Sequence, residues 1–189
     1  MSIITQLKSE YTITSTPLGG LINAAFQKKK DKFAYLDYDV VKGFKWNMKI
    51  YADEAKTDLL IEVEEQSAIS GLMDQSGYVF KNAKTGETLG AWVPKKRFFN
   101  MFLKAHYKLM VNNNVVATAP GEGFFKLFIP GSMRKLMGRK VFSADGNLLT
   151  KIHYCLSGGV NVIPQPAVMS DDFMSMATAV FAAICSLQD

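Results

Sequence analysis

The chain has 189 residues, 48% of them hydrophobic and 21% charged, a globular balance long enough to bury one substantial core and too apolar for a disordered chain. Its formal charge of +5 biases it toward phosphate-bearing surfaces but falls short of the basic footprint of a dedicated nucleic-acid binder. Two cysteines, Cys155 and Cys185, are too few for a disulfide scaffold, and the opening "MSIITQLKSEY" has neither a basic leader nor a continuous apolar run; the expectation is one domain, 1–189, in a reducing, cytoplasmic setting.

The stretch "TPLGGLINAAFQKKKDK" reads as an amphipathic helix. Thr16 is its N-cap and Pro17 stands in the first turn, while Leu18, Leu21, Ile22, Ala25 and Phe26 form one apolar stripe that leads into Lys28, Lys29 and Lys30. Strand character follows. "KFAYLDYDVV" and "FKWNMKIYADE" are joined at Lys42-Gly43, "DLLIEVEE" comes after a polar stretch, and "GYVFKNAKTGETLGAWV" turns near Thr85-Gly86. "HYKLMVNNNVVATA" turns on an Asn triplet and "RKVFSADGNLLTKIHYCLSG" on Asp145-Gly146, a dipeptide that tolerates positive φ. Short strands at near-regular spacing imply an antiparallel all-β architecture. "VFKNAKTGETLG" and "VFSADGNLLT" are alike at several positions, which either an internal duplication or shared turn chemistry explains.

The last segment, "DDFMSMATAVFAAICSLQD", is the most apolar of the chain. Ser170 suits the N-cap, Asp171 and Asp172 place negative charge in the first turn, and from Phe173 to Leu187 only Ser175, Thr178 and Ser186 interrupt the apolar run. A helix apolar on every side belongs inside a protein or a membrane. About 15 such residues span roughly 22 Å, short of the ~30 Å hydrocarbon core, so burial in protein is expected. A β-barrel of eight strands is already filled by its own side chains, whereas one of about twelve encloses a helix. The predicted fold is therefore mainly β: a closed antiparallel barrel of about twelve strands around a buried C-terminal helix at about 171–187, with short amphipathic helices outside. Ala177, Ala179, Ala182 and Ala183 would let strands approach, and Phe173, Met176, Val180, Phe181, Ile184 and Leu187 would fill wider gaps.

With its hairpins followed by "AVFAAICSLQD", and with "VFSADGNLLTKIHY" similar to the Phe-x-x-x-x-Gly-x-Leu hairpins of LURP-one and scramblase-like proteins, the chain resembles the tubby C-terminal-like superfamily. That superfamily includes tubby domains, LURP-one-related proteins and phospholipid scramblases, and the resemblance covers nearly the whole chain. It implies a twelve-stranded barrel around a central helix and, for function, membrane-phosphoinositide binding, lipid transport or a role in plant defence, among which the fold alone does not choose. The chain departs from the family in three respects: it matches no tubby phosphoinositide pattern residue by residue, it has no proline- or cysteine-rich N-terminal extension, and no acidic cluster suggests a calcium loop.

Two further segments combine basic and aromatic residues. "PKKRFFNMFLK" sets Phe98, Phe99, Phe102 and Leu103 beside Lys95, Lys96, Arg97 and Lys104; "PGEGFFKLFIPGSMRKLMGRK" sets Phe124, Phe125, Phe128 and Ile129 near Arg134, Lys135, Arg139 and Lys140. Such segments suit an anionic membrane surface. Taken singly, each is better explained by packing on its own protein, so the lipid reading depends on whether the fold gathers them on one side.

Enzymatic signals are weak. His106 and His153 stand in apparent strands with no metal-ligand spacing, and Cys155, two residues from His153, has no third group to orient a nucleophile pair. "PGEGFF" lacks the ending of a phosphate loop, and Asp37, Asp39, Glu62, Glu64 and Glu65 read as the solvated face of strands. No cofactor or metal is expected, nucleic-acid readout has no recognition element, and a barrel filled by its own helix should leave little cavity for a small ligand. The expected function is non-enzymatic binding to anionic phospholipid or phosphoinositide surfaces through Lys28, Lys29, Lys30, Lys95, Lys96, Arg97, Arg134, Lys135, Arg139 and Lys140. The alternative is a structural or protein-interaction scaffold without a lipid role.

Overall fold

The computed structural model describes residues 2–18, 21–28, 30–41, 45–66, 77–95, 105–121, 138–155 and 159–188. Within them a short helix α1 (Ile3–Leu7) precedes twelve strands: β1 (Tyr11–Leu18), β2 (Leu21–Lys28), β3 (Asp31–Val41), β4 (Lys45–Tyr51), β5 (Leu59–Gln66), β6 (Gly77–Asn82), β7 (Thr88–Lys95), β8 (His106–Val111), β9 (Asn114–Ala119), β10 (Arg139–Ser143), β11 (Leu148–Tyr154) and β12 (Val160–Pro164). Each strand pairs antiparallel with its neighbours in sequence, and β12 returns to pair with β1 through Tyr11↔Val162 and Ile13↔Val160, which closes the barrel. Two more helices follow, α2 (Pro166–Met169) and α3 (Asp172–Gln188).

Turn chemistry sets this order. Asn112 and Asn113 both have positive φ, 47° and 67°, the conformation of a two-residue turn whose twist matches the flanking strands. Gly159, φ +84°, has a second constraint: a Cβ there would lie 2.0 Å from the carbonyl oxygen of Ile13, so the β11–β12 connection can approach β1 only with glycine.

The helix predicted over 16–28 is instead the β1–β2 hairpin, in which Leu18 pairs with Leu21 and Ile13 with Phe26. The helical spacing of Leu18, Leu21, Ile22, Ala25 and Phe26 is incidental. Thr12, Ile13, Thr14, Thr16 and Ile22 favour extended backbone, and Gly19-Gly20 in the sequence is a hairpin dipeptide. The two alike hairpins, β6–β7 and β10–β11, also differ in register. Phe80 is buried in the main core while Val79 belongs to a separate outer cluster with Ala91 and Val93, whereas Val141 is the inward residue of its own Val-Phe pair. Equivalent letters face opposite ways, as shared turn chemistry allows and superposable repeats do not.

The C-terminal helix is the core of the barrel, one residue later than predicted. Asp171, not Ser170, caps it, with its Oδ1 accepting from the Met174 amide at 3.0 Å. Ala177, Val180, Phe181, Ala182 and Ala183 are fully buried. The buried hydroxyls of Ser175 and Thr178 on this helix are satisfied within the chain: Ser175 Oγ donates to the carbonyls of Val168 and Asp171, and Thr178 Oγ1 to those of Met174 and Ser175. This removes the penalty for burying them. Across the barrel the Trp92 indole donates to the Ala177 carbonyl at 2.9 Å, its ring stacks on Phe181 at 4.4 Å, and Phe80 stacks on Phe173 at 6.3 Å.

The outer wall of β3–β6 carries a row of alternating charge, Asp37↔Lys49↔Glu62↔Lys81, in direct cross-strand register. Lys81 Nζ also meets Glu64 Oε2 at 2.9 Å and Lys56 Nζ meets Asp37 Oδ1 at 2.9 Å. The expected solvated face is thus present for Asp37, Glu62 and Glu64; the Asp39 side chain is outside the description. Lys81 holds the Glu64 carboxyl below the usual carboxylate range by a direct hydrogen bond. This stretch of wall is charged at the positions where a membrane barrel has its apolar band. No helix among the described residues is long and apolar enough to cross a membrane.

Candidate functional site

Strand direction sorts the predicted basic residues between two barrel ends. The first, called here the α1 end, gathers the turns at 28–31, 52–58, 82–88, 111–114 and 143–148 with the start of α3. The other gathers the strand ends Leu18, Val41, Gln66, Lys95, His106, Ala119, Arg139 and Tyr154, as Lys95↔His106, Tyr107↔Ala119 and Tyr154↔Val160 require. Lys28 and Lys30 are exposed at the α1 end, where Lys28 Nζ donates to Ser9 Oγ at 2.9 Å. Lys95 and Lys140 are exposed toward the opposite end. Lys29, Lys96, Arg97, Arg134 and Lys135 lie outside the described residues.

The fold therefore separates Lys28 and Lys30 from Lys95 and Lys140. The chain leaves β7 at Lys95 and re-enters β8 at His106; it leaves β9 at Ala119 and re-enters β10 at Arg139. All four residues are at the end opposite α1. Both basic-aromatic segments thus begin and end on one rim.

Arg139 does not belong to an exposed set. Only 8% accessible, it turns into the barrel, where Nε donates to the Tyr154 hydroxyl at 3.3 Å and Nη1 to the Ala105 carbonyl at 3.0 Å. Its guanidinium carbon lies 5.4 Å from the Tyr107 ring centroid and 5.8 Å from that of Phe181. Two aromatic faces and two acceptors hold this cation. Period-two alternation is the cause: Arg139 shares a face with the buried Val141, and Lys140 between them points outward. Lys140 stands directly opposite Lys151 on β11. Like charges in register are unfavourable unless an anion intervenes, in contrast with the compensated row on β3–β6.

Of the residues weighed for catalysis, His153 and Cys155 are near neighbours on and just after β11, while His106 stands on β8. His106 is half-buried at the start of β8, His153 exposed on β11 and Cys155 half-buried just beyond it; Cys185 is buried in α3, and neither cysteine is in a disulfide. Among the described residues no three His, Cys, Asp or Glu side chains converge as metal ligands.

The barrel interior is closely filled, with Phe26, Ile61 and Ala179 at 1%, 6% and 2% accessibility, and the open space that remains lies beside α1. The backbone of α3 lies closest to β1, β11 and β12, off the barrel axis, and the large rings of β6–β8 bridge to it on the far side. Between β2–β6, α1 and α3 this leaves a cleft of about 660 Å³, within the roughly 300–1,000 Å³ range of small-ligand sites. Phe26, Phe33, Ile61 and Met176 contribute its apolar walls, with the Lys84–Asp58 ion pair (2.9 Å) among its polar groups. Sequence patterning does not reveal it, because its volume depends on the sideways displacement of α3.

Compared with family models, curated proteins and solved structures, the chain has no match.

Proposed function

We propose that the chain is a non-enzymatic binding module of the tubby-like, LURP-one-related or scramblase-like type, and that it associates with anionic phospholipid or phosphoinositide surfaces through the barrel end opposite α1. One observation carries this reading: the strand ends from which both basic-aromatic segments depart share that rim. Among the described residues no carboxylate forms an ion pair with Lys140 or Lys151, and this facing pair adds positive potential on the adjoining wall. Cations near an anionic bilayer contribute about 1 kcal/mol each, and the attraction fades within a Debye length, about 8 Å at physiological salt. The family reading is supported by the barrel, its central helix and the hairpin motifs.

The test compares two charge reversals on vesicles containing phosphatidylserine or a phosphoinositide. Changing Lys95, Lys96 and Arg97 to Glu should weaken flotation at least tenfold, while changing Lys28 and Lys30 to Glu, at the opposite end, should leave it near the parent level. Binding should fall as salt rises and vanish on neutral vesicles. A parent protein that ignores anionic vesicles at low salt would return the chain to the scaffold reading.

A further inference from the structure

Charge is divided unevenly around the barrel. Between residues 88 and 164, the stretch that includes β7–β12, the sequence has eleven Lys or Arg and only two acids, Glu122 and Asp145; the rest of the chain has eleven and fifteen. None of the strands β7–β12 contains Asp or Glu. On β3–β6 and their turns the lysines are answered in place, Lys49 by Glu62, Lys56 by Asp37 and Lys81 by Glu64. On the outward face of β8–β11 they are not. Lys108 and Lys140 are exposed and Lys151, the central residue of β11, is half-buried; among the described residues no carboxylate forms an ion pair with any of the three. Lys140 and Lys151 face each other in register, Lys108 stands opposite Thr118, and the exposed His153 shares the outward face of β11 with Lys151.

Lysines on the convex outside of a barrel hold a single small anion weakly, because each exposed pair contributes little and is screened by salt, so a useful ligand brings several negative charges at once. A bilayer that takes the rim meets the strand ends, whereas Lys151 stands midway along its strand. A single-stranded nucleic acid gains its affinity from bases stacked on aromatic or guanidinium planes. Among the described residues the outward face of β8–β11 has no Arg, Tyr or Trp, and its one Phe, Phe142, is half-buried. An acidic peptide needs only charge and reach. Alternate side chains of an extended peptide recur about every 6.7 Å, the interval that also separates Lys151 from His153 along β11 and His106 from Lys108 along β8. The closed barrel has no free strand edge to extend, so such a segment is held by side chains alone. We propose that the β8–β11 wall docks an extended acidic segment of a partner protein through Lys108, Lys140 and Lys151. This goes beyond the membrane reading, since the wall is used and not the rim.

The test is fluorescence anisotropy of a labelled peptide of alternating Glu and Ser, about twelve residues long, titrated with the full-length protein in the absence of lipid. Saturable binding is expected at low salt, weaker by about tenfold or more at physiological salt and absent for the same peptide with Gln in place of Glu. The double reversal Lys108→Glu with Lys151→Glu should weaken binding at least about tenfold, while Lys28→Glu with Lys30→Glu, an equal change in net charge at the α1 end, should leave it within about twofold of the parent. Lys151→Glu sets an opposite charge directly across from Lys140, which favours the folded wall; Lys108→Gln with Lys151→Gln, which only removes charge, should weaken binding about threefold and reports on the wall even if the reversal fails to fold. Absence of saturable binding at low salt, or equal losses from the two double reversals, would overturn the assignment. Tighter binding of an oligouridylate of the same length would overturn it in favour of a nucleic acid. A wall reversal that abolishes vesicle flotation yet binds the peptide like the parent would overturn it in favour of the bilayer.

Discussion

Phe181→Ala tests whether the barrel is organised around its helix. The ring is fully buried and contacts three partners from two strands and a third: Trp92 at 4.4 Å, Tyr107 at 5.2 Å and the Arg139 guanidinium at 5.8 Å. Truncating a buried phenylalanine costs about 3–5 kcal/mol, and each aromatic pair contributes about 0.5–1.5 kcal/mol beyond area burial. Arg139 would also lose a face that helps hold its charge, so the upper part of that range, about 5 kcal/mol, is expected. This is a large fraction of the roughly 5–15 kcal/mol that stabilises a typical domain. Urea unfolding followed by tryptophan fluorescence measures it: with a slope of about 1–3 kcal/mol/M, the midpoint should fall by more than about 1.5 M. The near-UV dichroism of Trp92 should weaken with it. A midpoint within about 0.5 M of the parent, at unchanged slope, would refute the reasoning, because a ring so placed cannot be removed cheaply.

Three other outcomes follow from single residues. Tyr11 is 2% accessible, its hydroxyl has no hydrogen-bond partner among the described residues, and burial pushes its phenol well above the ordinary range; Tyr11→Phe removes that unmet group and should leave stability unchanged or raise it by about 1 kcal/mol in thermal melts, a loss of more than 1 kcal/mol counting against it. Arg139→Met should fold, remain within about 2 kcal/mol of the parent and float with vesicles as the parent does, whereas Arg139→Glu should be insoluble; lost flotation in folded Arg139→Met would contradict the interior placement. Asn113→Gly, at φ 67°, should gain a few tenths of a kcal/mol in chemical denaturation and Asn113→Val lose more than about 1 kcal/mol, since β-branched residues are strained there.

Much of the fold is written in short-range chemistry. Asp145-Gly146, Thr85-Gly86 and the Asn triplet mark hairpins whose φ values are positive as required, and the unbroken apolar run from Val180 to Cys185 admits no surface position for α3. The β1–β2 hairpin was obscured because a five-residue apolar set happens to fit both a helical stripe and a twisted strand pair, and Gly19-Gly20 was the discriminating signal. At the site, the burial of Arg139 was in principle legible from its parity with Val141, once β10 is known to begin at Arg139. The separation of Lys28 and Lys30 from Lys95 was not, since it depends on whether 16–28 is one helix or two strands. The cleft is legible only in three dimensions.

The most direct test of the proposed membrane orientation is an environment-sensitive dye attached at single cysteines. With Cys155 replaced by serine and Cys185 buried in α3, the dye is placed either at Lys95→Cys, on the rim opposite α1, or at Lys30→Cys, on the hairpin at the α1 end. On adding phosphoinositide-containing vesicles, the label at 95 should shift to the blue and brighten while the label at 30 stays as it is in buffer. A shift confined to position 30, or none at either position while the protein floats with the vesicles, would contradict the assignment of the membrane-facing end.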